Sequence, residues 1–187
     1  MSIINIISQL LSARPLPASV HLTADDWDRL TITAIALGLA PLLHRQLEEH
    51  PELAPPASAL AKLAVTRQAH AKRNAAIADQ LAEILAGCAE QNINVIVLKG
   101  ALLAPLAYPE PALRPMNDID LLFQPNDVAR AGRLLEQLGY RGKYKDASQG
   151  PGITKHLSPY RRAGAEGATP NPYLSAAGER TVEPHIS

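Results

Sequence analysis

Apolar residues recur every three to four positions over roughly the first ninety residues, then give way to short continuous runs. That change of period predicts helices followed by an α/β unit. Ile3-Ile4-Asn5-Ile6-Ile7 is short, interrupted by a polar residue and has no basic flank before it, so it reads as an amphipathic first helix, not a leader. Thr23-Ala24-Asp25-Asp26 is a helix start, with Trp27, Leu30, Ala34 and Leu37 at helical spacing behind it. Gly38 and Pro41 break that helix, and Pro41 to His50 forms another short one ended by His50-Pro51. After Pro55-Pro56 a long helix is expected from about Ala57 to Gln91, with the stripe Ile77, Leu81, Ile84, Leu85 and Cys88.

The turn Asn92-Ile93-Asn94 leads into Val95 to Leu98, a β-branched run that suits a buried strand. Lys99-Gly100 ends it, Ala101 to Tyr108 can make a turn or two of helix, and Pro109, Pro111 and Pro115 predict a loop. A second strand carries Asp118 and Asp120. Pro125-Asn126-Asp127 then starts a helix faced by Val128, Ala131, Leu135 and Leu138, stopped by Gly139 in a left-handed conformation. From Arg141 to Arg180 no period is sustained; the segment could hold a short strand near Ile153 to Leu157 or act as an active-site flap. Thr181 to Ser187 reads as a last strand, and Pro184, which cannot donate to a ladder, favours an edge position for it. The expected organisation is a helical region over 1–91 and an α/β domain over 92–187.

The acid pair gives this frame its chemistry. Side chains at i and i+2 of a strand leave the same face, so Asp118 and Asp120 point together while Ile119, Leu121 and Phe123 point away. Two half-buried like charges repel, and a divalent cation removes that cost. Mg2+ takes oxygen ligands from one or two carboxylates plus substrate phosphates, so the pattern suggests metal-dependent phosphoryl or nucleotidyl transfer. The bland alternative is a solvated strand end paired with Lys99 or Arg114. Lys99 suits either a phosphate contact or an ion pair with one of the aspartates. Arg114 suits either a phosphate contact or bonds to the carbonyls of the proline-rich loop. His156, Arg161 and Arg162 form a basic segment that reads first as a solvated loop. His21, His44, His50 and His70 lack ligand spacing.

Composition narrows the partners. Lys plus Arg and Asp plus Glu are 18 each, so net charge exerts no general pull toward nucleic acid or an anionic membrane. The 47% hydrophobic residues, with only 4% aromatic, call for a core of Leu, Ile, Val and Ala. Cys88, the single cysteine, lies on the apolar stripe of the long helix and excludes an intramolecular disulfide or a thiolate zinc cluster. No apolar run is long enough to span a bilayer, and a cytoplasmic location is expected.

The run Val97-Leu98-Lys99-Gly100-Ala101, then Tyr108-Pro109, Arg114-Pro115-Met116-Asn117-Asp118-Ile119-Asp120-Leu121-Leu122 and Leu138-Gly139-Tyr140, resembles an uncharacterised nucleotidyltransferase family of the polymerase-beta-like superfamily. Lys155-His156-Leu157-Ser158-Pro159 and Val182-Glu183-Pro184-His185 are similar to its later segments. The resemblance implies an α+β fold, a minimal nucleotidyltransferase-like mixed sheet with flanking helices behind the helical region. It implies a Mg2+ (or Mn2+) site of Asp118, Asp120 and Glu183, a nucleotide-facing turn at Gly100, and Lys99 and Arg114 near the phosphates. The substrate would be a nucleoside triphosphate, ATP by expectation, and the acceptor a small molecule, protein or RNA. Two departures stand out: Pro184 replaces an apolar strand residue, and relatives usually continue past the position of Ser187, which suggests a fragment or a shortened member. A non-catalytic nucleotide-binding or regulatory module acting through a protein partner is the alternative.

Overall fold

The computed structural model describes residues 2–12, 21–142, 157–164, 178 and 180–186. Two compact units, Met1–Ala71 and Lys72–Ser187, meet within one long helix.

The first unit is helical. Helix α1 (Ile3–Leu11) begins at Ser2, whose hydroxyl accepts the Asn5 N–H. Helix α2 (Ala24–Ala36) starts with the expected cap at Thr23, reinforced as a capping box by Asp26. Trp27, Leu30 and Ala34 are buried, but Leu37, expected on the same stripe, is 55% exposed. The helix has already stopped at Ala36, and Gly38, at φ 70°, turns the chain away. Helix α3 (Ala40–Glu49) and the first part of α4 (Ala57–Glu90) complete the core through Leu43, Leu47 and Leu63.

The second unit is a five-stranded mixed sheet with helices. Its strands are β1 (Val95–Leu98), β2 (Asp118–Phe123), β3 (Arg141–Gly142), β4 (Tyr160–Arg162) and β5 (Arg180–Ile186), in the order β1-β2-β5-β4-β3. Among the described strands only β2 and β5 run parallel. Helix α5 (Lys99–Ala107) follows β1, and α6 (Val128–Gln137) follows β2. Val95, Val97, Ile119, Leu121, Phe123 and Val182 pack with Ile77, Ile84 and Cys88 of α4 and with Leu134 and Leu135 of α6. Cys88 is therefore a core residue, and burial raises its thiol pKa. Gly139 closes α6 at φ 83°, as expected.

Two expectations are corrected. Strand β5 lies between β2 and β4, so Pro184 is not on an edge strand. The Pro184 carbonyl accepts the Leu157 N–H at 3.0 Å, so its nitrogen faces that same side. There β4 has already ended, its last pairing being Tyr160 with Val182, and the missing donor breaks no bond to β2. The segment after Arg141 also contributes two strands, β3 and β4. Each is too short and too charged to register as a period, and they form by pairing with β5 and with each other. Of the strand expected near Ile153 to Leu157, only Leu157 is described, and it is not in a strand; His156 lies outside the described residues.

Candidate active site

Strand β2 delivers Asp118 and Asp120 to the face opposite the core because Ile119, Leu121 and Phe123 are claimed by it. The parallel pairing sets Asp120 beside Glu183, and Leu122 beside His185. Asp120, only 3% exposed, accepts at one oxygen from two bases: Lys99 Nζ lies 2.6 Å and His185 Nε2 2.7 Å from Oδ1. Oxygens of Asp120 and Glu183 and a ring nitrogen of His185 lie within 4.8 Å of one another, a spacing that suits one cation. Asp118 is half-buried on the neighbouring position. Burial, then the charges of Asp120 and Glu183, raise its pKa above the ordinary aspartate value, against the opposing pull of Lys99. Three acids thus crowd one face, and the charge they share is what a divalent ion neutralises.

At the turn after β1, Lys99 holds a left-handed conformation, at φ 48°. For a side-chain-bearing residue this costs on the order of 1 kcal/mol. It places the ammonium over Asp120, whose hydrogen bond is the main reason the Lys99 pKa is raised. Gly100 answers a packing need: a Cβ there would stand 3.1 Å from Cγ and 3.3 Å from Sδ of Met116, on the loop leading into β2.

That loop is held from α4. Asn74, 3% exposed, donates its amide to the carbonyls of Pro111 (2.6 Å) and Arg114 (2.8 Å). Arg73, 4% exposed, donates to the carbonyls of Asn117 (3.1 Å) and Met116 (3.4 Å), immediately before Asp118. Burial lowers the Arg73 pKa while the Asp118 charge opposes that shift, so guanidinium and carboxylate feel each other. The carbonyl-holding role considered for Arg114 thus falls to Arg73 and Asn74. Arg114 is half-buried, and its Nε meets no partner among the described residues.

The structure therefore brings Lys99, Asp118, Asp120 and Glu183 together, puts Gly100 at the adjoining turn, and adds His185. A family model matches residues 23–187 and describes an uncharacterised nucleotidyltransferase. The chain belongs to that family. No curated protein and no solved structure matches it. Membership makes nucleotidyl transfer the general chemistry to be explained and a nucleoside triphosphate the implied substrate. No helix among the described residues is long and apolar enough to cross a membrane.

Arg73 and Asn74 went unnoticed in the sequence because their only signal is two adjacent long polar side chains inside a helix, a common surface pattern. Their burial depends on the loop that folds over them. His185 was visible as a polar neighbour of Glu183 at i+2, but its bond to Asp120 requires the β2–β5 register. Arg162, one of the three basic residues of the tail, is structural. Its guanidinium pairs with Glu83 at 2.8 Å, donates to the Leu138 carbonyl at 2.8 Å and lies 4.6 Å from the centre of the Tyr140 ring.

Proposed function

We propose that this chain is a Mg2+- or Mn2+-dependent nucleotidyltransferase that moves a nucleoside monophosphate from a nucleoside triphosphate, ATP as the reference substrate, to an acceptor hydroxyl. The observation that carries the reading is the convergence of Asp118, Asp120 and Glu183 on one sheet face, in a chain whose family is a nucleotidyltransferase one. The donor set fits a hard cation: carboxylate oxygens suit Mg2+ and Mn2+, and His185 nitrogen nearby leans the set toward Mn2+. Asp118, Asp120 and Glu183 hold the ion. When bound, it offsets the negative charge gathering on the transferred phosphoryl group and the leaving pyrophosphate.

The protein's own residues do the placing. His185 fixes the rotamer of Asp120 through its 2.7 Å bond. Lys99, 54% exposed at its side chain, swings from Asp120 to the triphosphate when a cation takes over the acid. Arg73 and Asn74 fix the loop that aims Asp118. Isothermal titration tests the reading: wild type binds Mg2+ together with ATP, and Asp118→Ala and Asp120→Ala lose at least about tenfold in affinity, the scale expected when a charged ligand is removed. Equal nucleotide-dependent metal binding in all three proteins removes the site.

A second reading, a nucleotide-binding or regulatory module without turnover, draws on Lys99 and His185 already satisfying Asp120. Binding of Mg2+ and ATP without release of pyrophosphate in the presence of any acceptor selects it.

A further inference from the structure

Strand parity sends Asp118, Asp120 and Leu122 of β2, and Thr181, Glu183 and His185 of β5, to one face of the sheet. Asp120 is level with Glu183, and His185 stands two residues further along β5, diagonal to Asp120. The two side chains nevertheless meet, His185 Nε2 lying 2.7 Å from Asp120 Oδ1. Both are more than nine-tenths buried, at 6% and 3% exposure. Among the described residues, the ligand atoms close enough to share one ion, all within 4.8 Å of one another, belong to Asp120, Glu183 and His185. Asp118 is not in that set. The acids are therefore not one uniform cluster. The tight group is two carboxylates and an imidazole, with the third carboxylate beside it.

That donor set is selective. Mg2+ takes oxygen ligands in near-ideal octahedral geometry and keeps several waters, so it has little use for an imidazole nitrogen. First-row transition dications accept imidazole and carboxylate together. A residue needed only to hold Asp120 has to donate one hydrogen bond, and an amide side chain does that as well as a histidine. What the imidazole adds is a lone pair. The neutral ring with its proton on Nδ1 offers Nε2 to an ion beside Asp120 Oδ1. That oxygen already draws a positive charge, since Lys99 Nζ lies 2.6 Å from it on a side chain that is 54% exposed. The ammonium can leave for water, while Asp120 and His185 are fixed by their burial.

The geometry points to a resident transition-metal site, in which Asp120, Glu183 and His185 bind a dication of the Mn2+ class directly, without nucleotide and in preference to Mg2+. The hydrogen bond between Asp120 and His185 is exchanged for two bonds to the same ion. Lys99 is displaced from Asp120 at this stage, so it is available to a triphosphate before one arrives. Asp118 is left for the charge that enters with the nucleotide. The inference rests on the nucleotidyltransferase reading for the use made of the ion, and not for the binding of the ion itself.

The test uses the full chain without nucleotide. Electron paramagnetic resonance counts free Mn2+, and Mg2+ is read by competition; wild type should prefer Mn2+ at least about tenfold, the scale on which one ligating group acts. Electron spin-echo modulation of the bound Mn2+ should show coupling to an imidazole nitrogen. His185→Gln keeps an N–H for Asp120 but has no imidazole. Its nitrogen coupling should vanish and its Mn2+ affinity fall about tenfold, with Mg2+ affinity changed less than about twofold. His50→Gln, at a histidine 2.9 Å from Glu52 in the helical unit, should leave preference and coupling as in wild type. Bound Mn2+ without nitrogen coupling in wild type overturns the inference and needs no variant to fold. An unchanged Mn2+ preference in His185→Gln also overturns it, leaving His185 as a positioning residue. Mn2+ binding with nitrogen coupling, beside Mg2+–ATP binding that Asp118→Ala leaves intact, upholds this site and sinks the nucleotidyltransferase reading alone.

Discussion

Asn74 is the residue through which α4 sets the approach to the acids, and its replacement separates that role from simple packing. Its Nδ2 serves two carbonyls, Pro111 at 2.6 Å and Arg114 at 2.8 Å, from a side chain only 3% exposed. Asn74→Leu keeps the branched four-atom skeleton of the side chain and removes both donors. Each orphaned carbonyl costs about 1 kcal/mol, since loop groups near the surface recover some water, for a total of about 2 kcal/mol. For a protein of this size that lowers the melting temperature by about 4–8 °C. Asn74→Asp is the sharper probe, because it sets a carboxylate against two carbonyl oxygens. Such an acid has a raised folded-state pKa, so its native state holds a proton that the unfolded chain releases. Stability is then greatest below the ordinary aspartate range and falls as pH rises through the raised value. Melts followed by circular dichroism should show Asn74→Asp below Asn74→Leu at pH 7, with the gap closing in acid. In both variants Mg2+–ATP affinity should drop, because the loop leads into Asp118. A Leu variant within about 0.5 kcal/mol of wild type, the ordinary scatter of surface changes, or an Asp variant indifferent to pH, would refute the reasoning.

Two further outcomes can be checked. In the helical unit, His44 lies 3.2 Å from Arg67 and 3.5 Å from Glu48, and burial outweighs the Glu48 charge to lower its pKa below 6.5. The neutral ring is the folded form, so its contribution is complete above pH 6.5 and is lost as pH falls through the lower folded value; the His44 ring-proton NMR titration should have its midpoint below 6.5, and one at or above it contradicts the account. Gly100→Ala should cost about 1 kcal/mol by thermal melt, because its methyl meets Cγ and Sδ of buried Met116. Met116→Ala in the same chain should recover part of the loss, and full additivity of the two changes would show that the contact is not the cause.

Helices were legible wherever a cap or a glycine marked their ends. Thr23 with Asp26, and Gly139, are local devices that act through a few neighbouring bonds. The acids were legible for the same reason: strand parity alone puts Asp118 and Asp120 together. What the sequence could not convey was pairing between distant segments. Nothing local says that Thr181 meets Asp118, so Glu183 could be placed only by resemblance and the Asp120–His185 bond not at all. Pro184 misled because a proline rule treats the strand as a whole, whereas only one side of β5, past the end of β4, lacks a strand beside it. The same blindness hid β3 and β4, whose five residues have no pattern until β5 lies beside them.

The Lys99–Asp120 pair offsets part of the negative charge gathered on this face. Asp120 is only 3% exposed, whereas the Lys99 side chain is 54% exposed. An ion pair with one mobile, hydrated partner is worth little on its own, so giving it up costs little. Losing every partner would leave a buried carboxylate uncompensated, which costs far more. Lys99 is thus a counter-ion that the fold can afford to release, and its left-handed backbone is the strain needed to hold it there.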